Sequence, residues 1–430
     1  MTLAAGRWVS RHGLPSVDHL TVAGQGRRWI DVEWLGQWLL YRIWEIGGYP
    51  LIAVAAALLP TISFGILARI LFERGAHPRR VLKWTVLALA AAVPDMAIRS
   101  QQFAYPLFAG LVWLLLRDLE RPSTRRAAGA LAIVVVWANL HGSVLVGAGL
   151  LVAYGLWRCL RQPGYLMLAI AAAASPLATP YGLRTIAYYR SVLGNSAIRH
   201  FSSEWQPALP TNLPAIGFFA LVCAVVVSVV LGLRHDWRPP RPLFIATLGL
   251  IIAGFVAMRW EAWAAFPAVV LACDALNRAQ PQSARPIPRW VFVAVPLVAT
   301  AGLLLLVTEQ RTTFEKGFPT TAIAQVRAYA KAHPASLVLA DDHSSDALLW
   351  IEPRLEGRVA FDDRLEVFPQ RQVDRWGSFI RGHDLSLVRG YDVLLVSNEN
   401  TDLLKRVESL HGWRLVYQGA NGIVAVRDSA

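Results

Sequence analysis

Long apolar runs alternate with short polar segments along the first 308 residues. Most runs approach the length that a helix needs to cross a hydrocarbon layer about 30 Å thick, at about 1.5 Å per residue. The shorter ones are expected to be tilted or enclosed by the others. The pattern predicts ten spans, at 48–72, 82–98, 102–117, 127–140, 143–160, 164–180, 213–233, 242–257, 260–276 and 289–308.

One apolar stretch, residues 127–160, is too long for a single span and contains the sequence Trp-Ala-Asn-Leu-His-Gly at 137–142. As one helix it would extend about 51 Å, so it is predicted to form two spans that meet at a polar turn. Asn139 and His141 precede the free N–H groups of the second helix, which favour an anion, and a His can serve as acid, base or phosphate donor. The alternative is a hydrogen-bonded turn in which Gly142 lets two helices pack closely.

Composition supports the membrane interpretation. Of the 430 residues 55% are hydrophobic and 17% charged, with a mean hydropathy of +0.40, which is too apolar for an ordinary soluble protein. The net charge of +13 resides in 1–308, because 309–430 carries 15 basic and 17 acidic side chains. The basic residues form short clusters between apolar runs, which is a topology signal and not a phosphate-binding face. No nucleic-acid partner is therefore expected.

The basic clusters also set the orientation. They fall in alternate loops, which the positive-inside rule assigns to the cytoplasm. Both chain termini of this multi-pass protein are then extracytoplasmic. Residues 1–47 form an extracytoplasmic segment in which 32–46 is predicted to be an interfacial helix. Nothing before this segment resembles a signal peptide or a span, so we expect a preceding helix to be missing from the chain.

After Val307 the composition becomes that of a soluble α/β domain. The predicted domains are therefore 1–47, a transmembrane helical domain at 48–308, and an extracytoplasmic α/β domain at 309–430. The last is expected to contain, in order, a helix at 320–333, strands at 337–340, 359–361 and 393–396, a helix that ends near 410, and strands at 414–417 and 423–426.

Two acidic motifs follow predicted strands of this domain, Asp341-Asp342-His343 and Asp362-Asp363-Arg364. Ligand sites of α/β folds commonly lie at such positions, and paired carboxylates can bind a divalent cation. Ordinary turn residues explain the motifs equally well. The chain has no Walker loop and no Cys/His spacing typical of zinc, so no dedicated metal site and no other cofactor is expected.

Polar side chains collect at the predicted outer ends of the spans. Ionisable groups at membrane depth cost about 2.5 to 3.5 kcal/mol each to insert, so they usually line a cavity or pair with one another. The alternative is that they reach individually to interfacial water. Arg99 is the best anion ligand among them, since a guanidinium holds two phosphate oxygens in a fork, and it also has an i, i+4 partner in Asp95. The set comprises Asp95, Arg99, Gln101, Gln102, Asn139, His141, Tyr181, Arg184, Glu204, Arg259 and Glu261.

The amino-terminal segment supplies candidate catalytic carboxylates. Asp31 and Glu33 stand beside Trp29 and Trp34, and Asp18 lies upstream. Carboxylates next to aromatic rings suit a sugar, and one of them can act as a general base. A solvated loop is the alternative.

Several motifs together resemble a group of bacterial multi-spanning proteins placed near the GT-C glycosyltransferases. They are Gly6-Arg7-Trp8, Gly13-Leu14-Pro15, Asp18, Trp29-Ile30-Asp31, Glu33-Trp34-Leu35, Arg99-Ser100-Gln101, the 137–142 turn, Pro180-Tyr181-Gly182, Glu204-Trp205, Asp362-Asp363-Arg364 and Gly412-Trp413-Arg414-Leu415-Val416-Tyr417. The pattern tends to have Pro where Ser100 stands.

The resemblance implies transfer of a sugar from a polyprenyl-phosphate donor to an acceptor outside the cytoplasmic membrane. Enzymes of this family carry an essential carboxylate in the first extracytoplasmic loop, close to the first helix. Either that acid precedes the present chain, or Asp18, Asp31 or Glu33 takes its role. Arg99 and His141 are then expected to hold the lipid phosphate, and no nucleotide is needed. The rival hypothesis is a non-catalytic scaffold or lipid-binding protein of envelope assembly; a transporter is disfavoured because no inverted repeat is found.

Overall fold

The computed structural model describes residues 1–92, 98–196, 198, 202–212, 215–281 and 318–428. The predicted span at 289–308 and Asp95 lie outside the described residues. The chain folds into two compact units. One, the α/β unit, comprises Met1–Pro50, Ile186–Phe201 and Val307–Ala430; the other, the helical unit, comprises Leu51–Thr185 and Ser202–Leu306. The amino-terminal segment and the carboxy-terminal domain thus share one unit.

Each predicted span within the described residues coincides with a helix. By length and composition, however, only Trp34–Glu73 and Ile216–Arg234 qualify to cross a membrane in the described part of the chain, or three spans if Tyr165–Leu177 and Gly182–Gly194 count as one bent span. The number of ten spans therefore stays a prediction. The α-helices from residue 34 to 279 are Trp34–Glu73, Pro78–Ala92, Ala104–Glu120, Thr124–Trp137, Val144–Cys159, Tyr165–Ala174, Thr185–Gly194, Ile216–Arg234, Arg241–Val256 and Glu261–Ala279.

The helix Trp34–Glu73 is broken at Gly47 and Gly48. Gly48 has a φ of 61°, which a residue with a side chain rarely adopts, and Pro50 follows. The predicted interfacial helix and the first predicted span are therefore the two halves of one interrupted element.

The centre of the helical unit is the helix Glu261–Ala279. Every residue from Glu261 to Cys273 is buried. A helix that is buried all round must be enclosed by other helices. Its first turn consequently places Glu261 in the interior of the unit.

The α/β unit is built on a four-stranded sheet with the order β1-β2-β4-β3, formed by Val338–Ala340, Val393–Val396, Trp413–Gly419 and Gly422–Arg427 in chain order. β1 and β2 are parallel, and the other pairs are antiparallel. The strands β1 and β2 are buried along their whole length, which accounts for their continuous apolar sequences. The helices of the carboxy-terminal part are Thr320–Ala332, Asp342–Ile351, Gln370–Ile380 and Thr401–Glu408.

The prediction of a strand at 359–361 is wrong, because this segment is not one of the four strands of the sheet. Val359 forms only isolated bridges, one to Val338 and one to Thr21. On one side the segment bonds to β1, since the Val338 N–H donates to the Arg358 carbonyl and the Ala360 N–H donates to the Val338 carbonyl, both at 2.8 Å. On the other side it pairs with the amino-terminal part of the chain, since the Val22 N–H donates to the Val359 carbonyl at 2.8 Å and the Ala23 N–H to the Ala360 carbonyl at 3.1 Å. Residues 21–23 therefore complete the α/β unit at this edge.

The first helix, Thr2–His12, packs into the same unit through Arg7. The buried guanidinium donates to the carbonyls of Trp350 at 2.7 Å and Leu349 at 2.6 Å and pairs with Glu356 at 3.1 Å. It thus satisfies carbonyls at the end of Asp342–Ile351, where a positive charge also complements the helix dipole.

Candidate functional site

The candidate residues form two sets, one in each unit. In the α/β unit, Asp31 and Glu33 lie immediately before the helix Trp34–Glu73. Asp31 is 4% exposed, and its Oδ1 accepts the Glu33 N–H at 3.1 Å. Its Oδ2 has no hydrogen-bond partner among the described residues. Burial, and then the charge of Glu33, raises the pKa of Asp31 well above its ordinary value, which suits a general acid or base.

A third carboxylate, Glu366, completes this acidic cluster of Asp31, Glu33 and Glu366. It lies on the short 3-10 helix Leu365–Val367, where burial raises its pKa to about 7 and the charge of Glu33 acts in the same direction. Sequence reasoning missed Glu366, although it follows the Asp362-Asp363-Arg364 motif by two residues. The Asp362-Asp363-Arg364 motif was the sequence signal that could have drawn attention to Glu366.

The helix Thr185–Gly194 borders the cluster. The Ser191 hydroxyl donates to the backbone carbonyl of Glu366 at 2.9 Å. The hydroxyl of Tyr189, on the same helix, is buried without a hydrogen-bond partner in the described structure. A tyrosine hydroxyl is protonated at neutral pH, so this phenol can act as a donor.

Asp18, the third carboxylate proposed from the sequence, has different surroundings. It is fully buried; its Oδ1 accepts from the Leu20 N–H at 3.0 Å and from Arg364 at 2.8 Å, and its Oδ2 accepts from the Thr21 hydroxyl at 2.5 Å. Arg364 also donates to Asp362 through both its Nε and its Nη2. Burial by itself would lower the pKa of the Arg364 guanidinium. The negative charges of Asp362 and Asp18 outweigh burial, so the pKa of Arg364 is raised. These contacts fit a structural ion-pair role for Asp18.

Trp29, one of the two rings beside these carboxylates in the sequence, is not accessible to a sugar in this structure. The indole is 1% exposed, and the guanidinium of Arg364 covers its ring at 4.1 Å. The ring therefore belongs to the buried ion-pair network of Asp18, Asp362 and Arg364.

In the helical unit, the predicted polar turn joins Thr124–Trp137 to Val144–Cys159. His141 is 6% exposed, and its Nδ1 contacts the Ser143 N–H at 3.0 Å and the Ser143 hydroxyl at 2.8 Å. A backbone N–H can only donate, so Nδ1 is an acceptor, and the Ser143 hydroxyl, which itself accepts from Trp137 Nε1 at 3.1 Å, donates to it. This network assigns Nδ1 as an acceptor and Nε2 as the nitrogen that carries the proton.

Asn139 holds the turn from the other side. Its amide donates to the carbonyls of Val135 at 3.1 Å and Ala178 at 2.8 Å. The turn is therefore hydrogen-bonded, as the alternative sequence interpretation required, and the contacts of Asn139 are structural. The Nε2 of His141 carries a proton, and an imidazole N–H can donate to a phosphate.

The turn depends on a close approach between Trp137 and Gly147. A Cβ at Gly147 would lie 2.6 Å from the Trp137 ring, which itself packs on Trp263 at 5.2 Å. We expect Gly147→Ala to displace the indole and to lower stability by about 1 to 3 kcal/mol. Thermal unfolding of the purified protein in detergent measures this loss of stability. Gly149→Ala on the same helix, where the added methyl meets nothing within 4 Å, is the control and should be neutral or slightly stabilising. Equal effects of the two would contradict the packing argument.

The predicted outer-face residues Arg99, Glu204 and Arg259 come together from separate segments. Arg99, at the start of the 3-10 helix Ser100–Phe103, pairs with Glu204. Arg259 lies 4.1 Å from the ring of the adjacent Trp205. The Met258 N–H donates to the Gln206 carbonyl at 3.0 Å and holds these segments together. Two guanidiniums and a carboxylate thus share one location.

Packed aromatic rings connect this location to the polar turn. Gln101 and Gln102 are buried, and the Gln101 amide donates to the Tyr105 hydroxyl at 2.7 Å. Tyr105 packs on Trp263 at 4.7 Å, and Trp263 packs on Trp137 of the turn at 5.2 Å.

Tyr181 and Arg184 lie at the turn around Gly182, which has a φ of 53°. Arg184 is exposed, and no described contact joins it to Arg99 or His141. Its role as a ligand stays a prediction.

The two acidic motifs of the α/β unit serve as caps and ion pairs. Asp341 accepts from the Ser344 N–H at 2.9 Å and from the Ser397 N–H at 2.7 Å, and Asp362 pairs with Arg364. Within the described ranges, no group of three or more His, Cys, Asp or Glu side chains is arranged to hold a metal ion. Use of a divalent cation stays an untested prediction.

No protein-family model matches the chain, and no curated protein sequence matches it significantly. Among the solved structures that match it, two serve as examples, and both cover nearly its whole length. They are ArnT from Cupriavidus metallidurans in the apo state, with a TM-score of 0.52 and 15% identity, and ArnT from the same organism bound to undecaprenyl phosphate, with a TM-score of 0.50 and 14% identity. Each alignment covers 99% of this chain and 92% of that chain.

The chain has the fold of ArnT. ArnT is a GT-C family glycosyltransferase, so the GT-C resemblance of the sequence motifs is confirmed at the level of the fold. At 14% and 15% identity the likeness concerns the fold alone, and no residue role follows from it.

Proposed function

We propose that the chain is a GT-C-like membrane glycosyltransferase that moves a sugar from a polyprenyl-phosphate donor to an extracytoplasmic acceptor. The observation that carries the proposal is the fold shared with ArnT, one structure of which is bound to undecaprenyl phosphate. In this proposal the protein lies in the bacterial cytoplasmic membrane with about ten spans, and its carboxy-terminal domain is extracytoplasmic. Its partners are the lipid-linked sugar, membrane lipids and the acceptor.

The acidic cluster provides the base. Asp31 takes the proton of the acceptor hydroxyl, with Glu33 beside it, while the hydroxyl oxygen forms a bond to the anomeric carbon of the sugar. The bond from that carbon to the phosphate oxygen breaks, and the polyprenyl phosphate leaves with the electron pair. Because its pKa is raised, the Asp31 carboxylate is a stronger base than an ordinary Asp, which favours acceptance of the proton. The reaction inverts the anomeric centre and needs no nucleotide.

The helical unit provides the phosphate ligands. Arg99 and Arg259 can each donate fork-shaped hydrogen bonds to phosphate oxygens, and His141 donates through Nε2. Glu204 holds the Arg99 guanidinium in place before the lipid arrives. Gln101 and Gln102 line the same short helix, and Tyr181 and Arg184 are further candidates to contact the donor.

We expect Arg99→Ala to weaken binding of undecaprenyl phosphate roughly tenfold or more, since hydrogen bonds to a charged group contribute about 1.5 to 3 kcal/mol. Native mass spectrometry of the purified protein with added lipid measures the affinity. Arg69→Ala is the matched control, because Arg69 also pairs with a carboxylate, Glu73, and stacks on a ring, Trp113. His141→Ala should weaken binding as well. Equal affinity of the wild type and both variants would remove Arg99 and His141 from the phosphate site.

The alternative is a membrane scaffold or lipid-binding protein without catalysis. It predicts lipid binding with no transfer of sugar by the wild type, and stable protein partners crosslinked to residues 309–430. Deletion of the domain would then leave glycans unchanged.

A further inference from the structure

Four segments of the α/β unit surround a cavity of about 460 Å³. They are the turn at 22–27, the end of the 359–361 segment, the helix Gln370–Ile380 and residues 387–391. The volume lies in the range of about 300 to 1,000 Å³ in which proteins bind small molecules. We call it the arginine cavity, and the polar side chains of its wall are Gln25, Arg27, Gln372, Arg375 and Tyr391.

The arginine cavity carries two positive charges, and none of the described residues in its wall is acidic. Arg27 donates through Nε to the Ala23 carbonyl at 3.0 Å. Neither its Nη atoms nor the Arg375 guanidinium has a hydrogen-bond or ion-pair partner among the described residues. Asp384 lies outside this wall, and its carboxylate already accepts from the Ser386 N–H at 2.7 Å and the Ser386 hydroxyl at 2.9 Å. The two guanidiniums are therefore available to an anion.

Both arginines stand on backbone that is held in place. Gly26 has a φ of 71°, which suits a tight turn, and the Asp18 N–H closes this turn by donating to the Arg27 carbonyl at 2.7 Å. Arg375 precedes Trp376, which is 3% exposed and anchors the helix in the core. Because the backbone beneath both guanidiniums is already ordered, less conformational entropy is lost when a ligand binds.

The rings at this cavity offer little surface to an apolar ligand. Phe361 is 2% exposed and Tyr391 is 8% exposed, so both are packed into the core beneath it. A ligand in the cavity therefore meets mainly guanidinium, amide and hydroxyl groups. This chemistry favours a polar anion over a hydrocarbon chain.

A saccharide with an acidic group matches these side chains. A guanidinium binds carboxylate or phosphate oxygens in a fork. The amides of Gln25 and Gln372 and the hydroxyl of Tyr391 can both donate and accept, as the hydroxyls of a sugar do. An acidic peptide has the same charge, but peptides usually bind along a sheet edge or a long groove, whereas this cavity is bounded by four segments.

We propose that the arginine cavity binds an acidic saccharide, meaning a sugar that carries a carboxylate or a phosphate, through Arg27 and Arg375. Such a saccharide is then the class of acceptor that receives the transferred sugar. The assignment of the saccharide as acceptor rests on the proposed function. The binding itself does not, because it needs only the folded α/β unit.

Isothermal titration calorimetry of the purified full-length protein tests the binding. The probes are two acidic sugars, trigalacturonate and glucose 6-phosphate, with neutral maltotriose and hexaglutamate for comparison. We expect at least one acidic sugar to bind tenfold or more tightly than maltotriose and to lose affinity as salt is added. The tighter of the two shows whether the anion is a carboxylate or a phosphate. No binding of either acidic sugar, equal affinity for maltotriose, or tighter binding of hexaglutamate would overturn the proposal.

A pair of double variants locates the site. Arg27→Ala with Arg375→Ala should weaken binding of the acidic sugar at least tenfold, since charge-assisted hydrogen bonds are lost. Arg28→Ala with Arg371→Ala removes the same charge from exposed residues that do not line the cavity, and it should retain the wild-type affinity. All four arginines are exposed, so both proteins should unfold at the wild-type temperature. Equal weakening in the two double variants would indicate unspecific attraction and would refute the site.

The kinetics of sugar transfer connect the cavity to the acceptor. With an acidic saccharide as acceptor, Arg27→Ala with Arg375→Ala should raise KM and leave kcat unchanged, because the two arginines contribute binding and do not touch the reacting atoms. A wild-type protein that binds the acidic sugar in calorimetry but transfers nothing to it would refute its use as acceptor and leave the binding site established.

Discussion

Replacing Asp31 by Asn should lower the rate of sugar transfer roughly 10²- to 10⁴-fold, the usual contribution of a general base. The same change should leave the fold intact. Asn retains the size of the side chain and its carbonyl oxygen can still accept the Glu33 N–H, which Asp31 Oδ1 accepts at 3.1 Å. A rate assay on reconstituted protein, with affinity for undecaprenyl phosphate as a parallel readout, separates lost chemistry from lost lipid binding.

The stability of the Asp31→Asn variant has an expected sign. The pKa of Asp31 is raised in the folded protein, so the folded state loses stability as the pH rises above the ordinary value of 3.8 and through the folded pKa. The neutral variant lacks this loss. The difference in thermal midpoint between this variant and the wild type should therefore increase with pH. An Asp31→Asn protein that keeps its activity would contradict the account, and so would one that fails to fold. Glu33→Gln is the companion variant and should reduce activity less, since Glu33 is only half-buried.

Replacing Arg364 by Ala should destabilise the α/β unit by about 3 to 5 kcal/mol, because it leaves buried carboxylates without their cation. Asp18 and Asp362 are both fully buried and both bond to this guanidinium. Thermal unfolding and limited proteolysis of the full-length protein should detect the loss.

The matched control for Arg364 is Arg375→Ala, an exposed arginine on the helix Gln370–Ile380, with an expected change within about 0.5 kcal/mol. Adding Asp18→Asn and Asp362→Asn to the Arg364→Ala variant should restore part of the stability, since no buried charge is then unpaired. A thermal midpoint for Arg364→Ala equal to that of Arg375→Ala would show that the ion-pair network does not contribute the expected stability.

Elements with a strong local pattern are predictable from the sequence. The helix expected at 320–333 is found at Thr320–Ala332, and the strands expected at 393–396 and 423–426 are β2 and part of β4. The break at the polar turn was predictable for the same reason, since an overlong apolar run must be interrupted where Asn, His and Gly stand. Arg99 pairs with Glu204 in the structure, and its role as a phosphate ligand stays a prediction.

Contacts between distant parts of the chain leave no such pattern. Arg7 bonds to Trp350 across 343 positions, and Arg364 bonds to Asp18 across 346. A periodic signal reports which face of an element is buried, but not which segment covers it. The sequence therefore did not show that the amino-terminal segment belongs to the carboxy-terminal domain, that Asp18 is an ion-pair residue, or that Glu366 joins Asp31 and Glu33.

The central claim is transfer of a sugar from a polyprenyl-phosphate carrier. Its most direct test supplies labelled polyprenyl-phosphate sugars to membranes that contain either the wild-type chain or Asp31→Asn, and follows the label from the lipid fraction into the envelope fraction. The account predicts that label moves in wild-type membranes and stays in the lipid fraction with Asp31→Asn. Label that moves equally in both, or in neither while the wild type binds undecaprenyl phosphate, would contradict it.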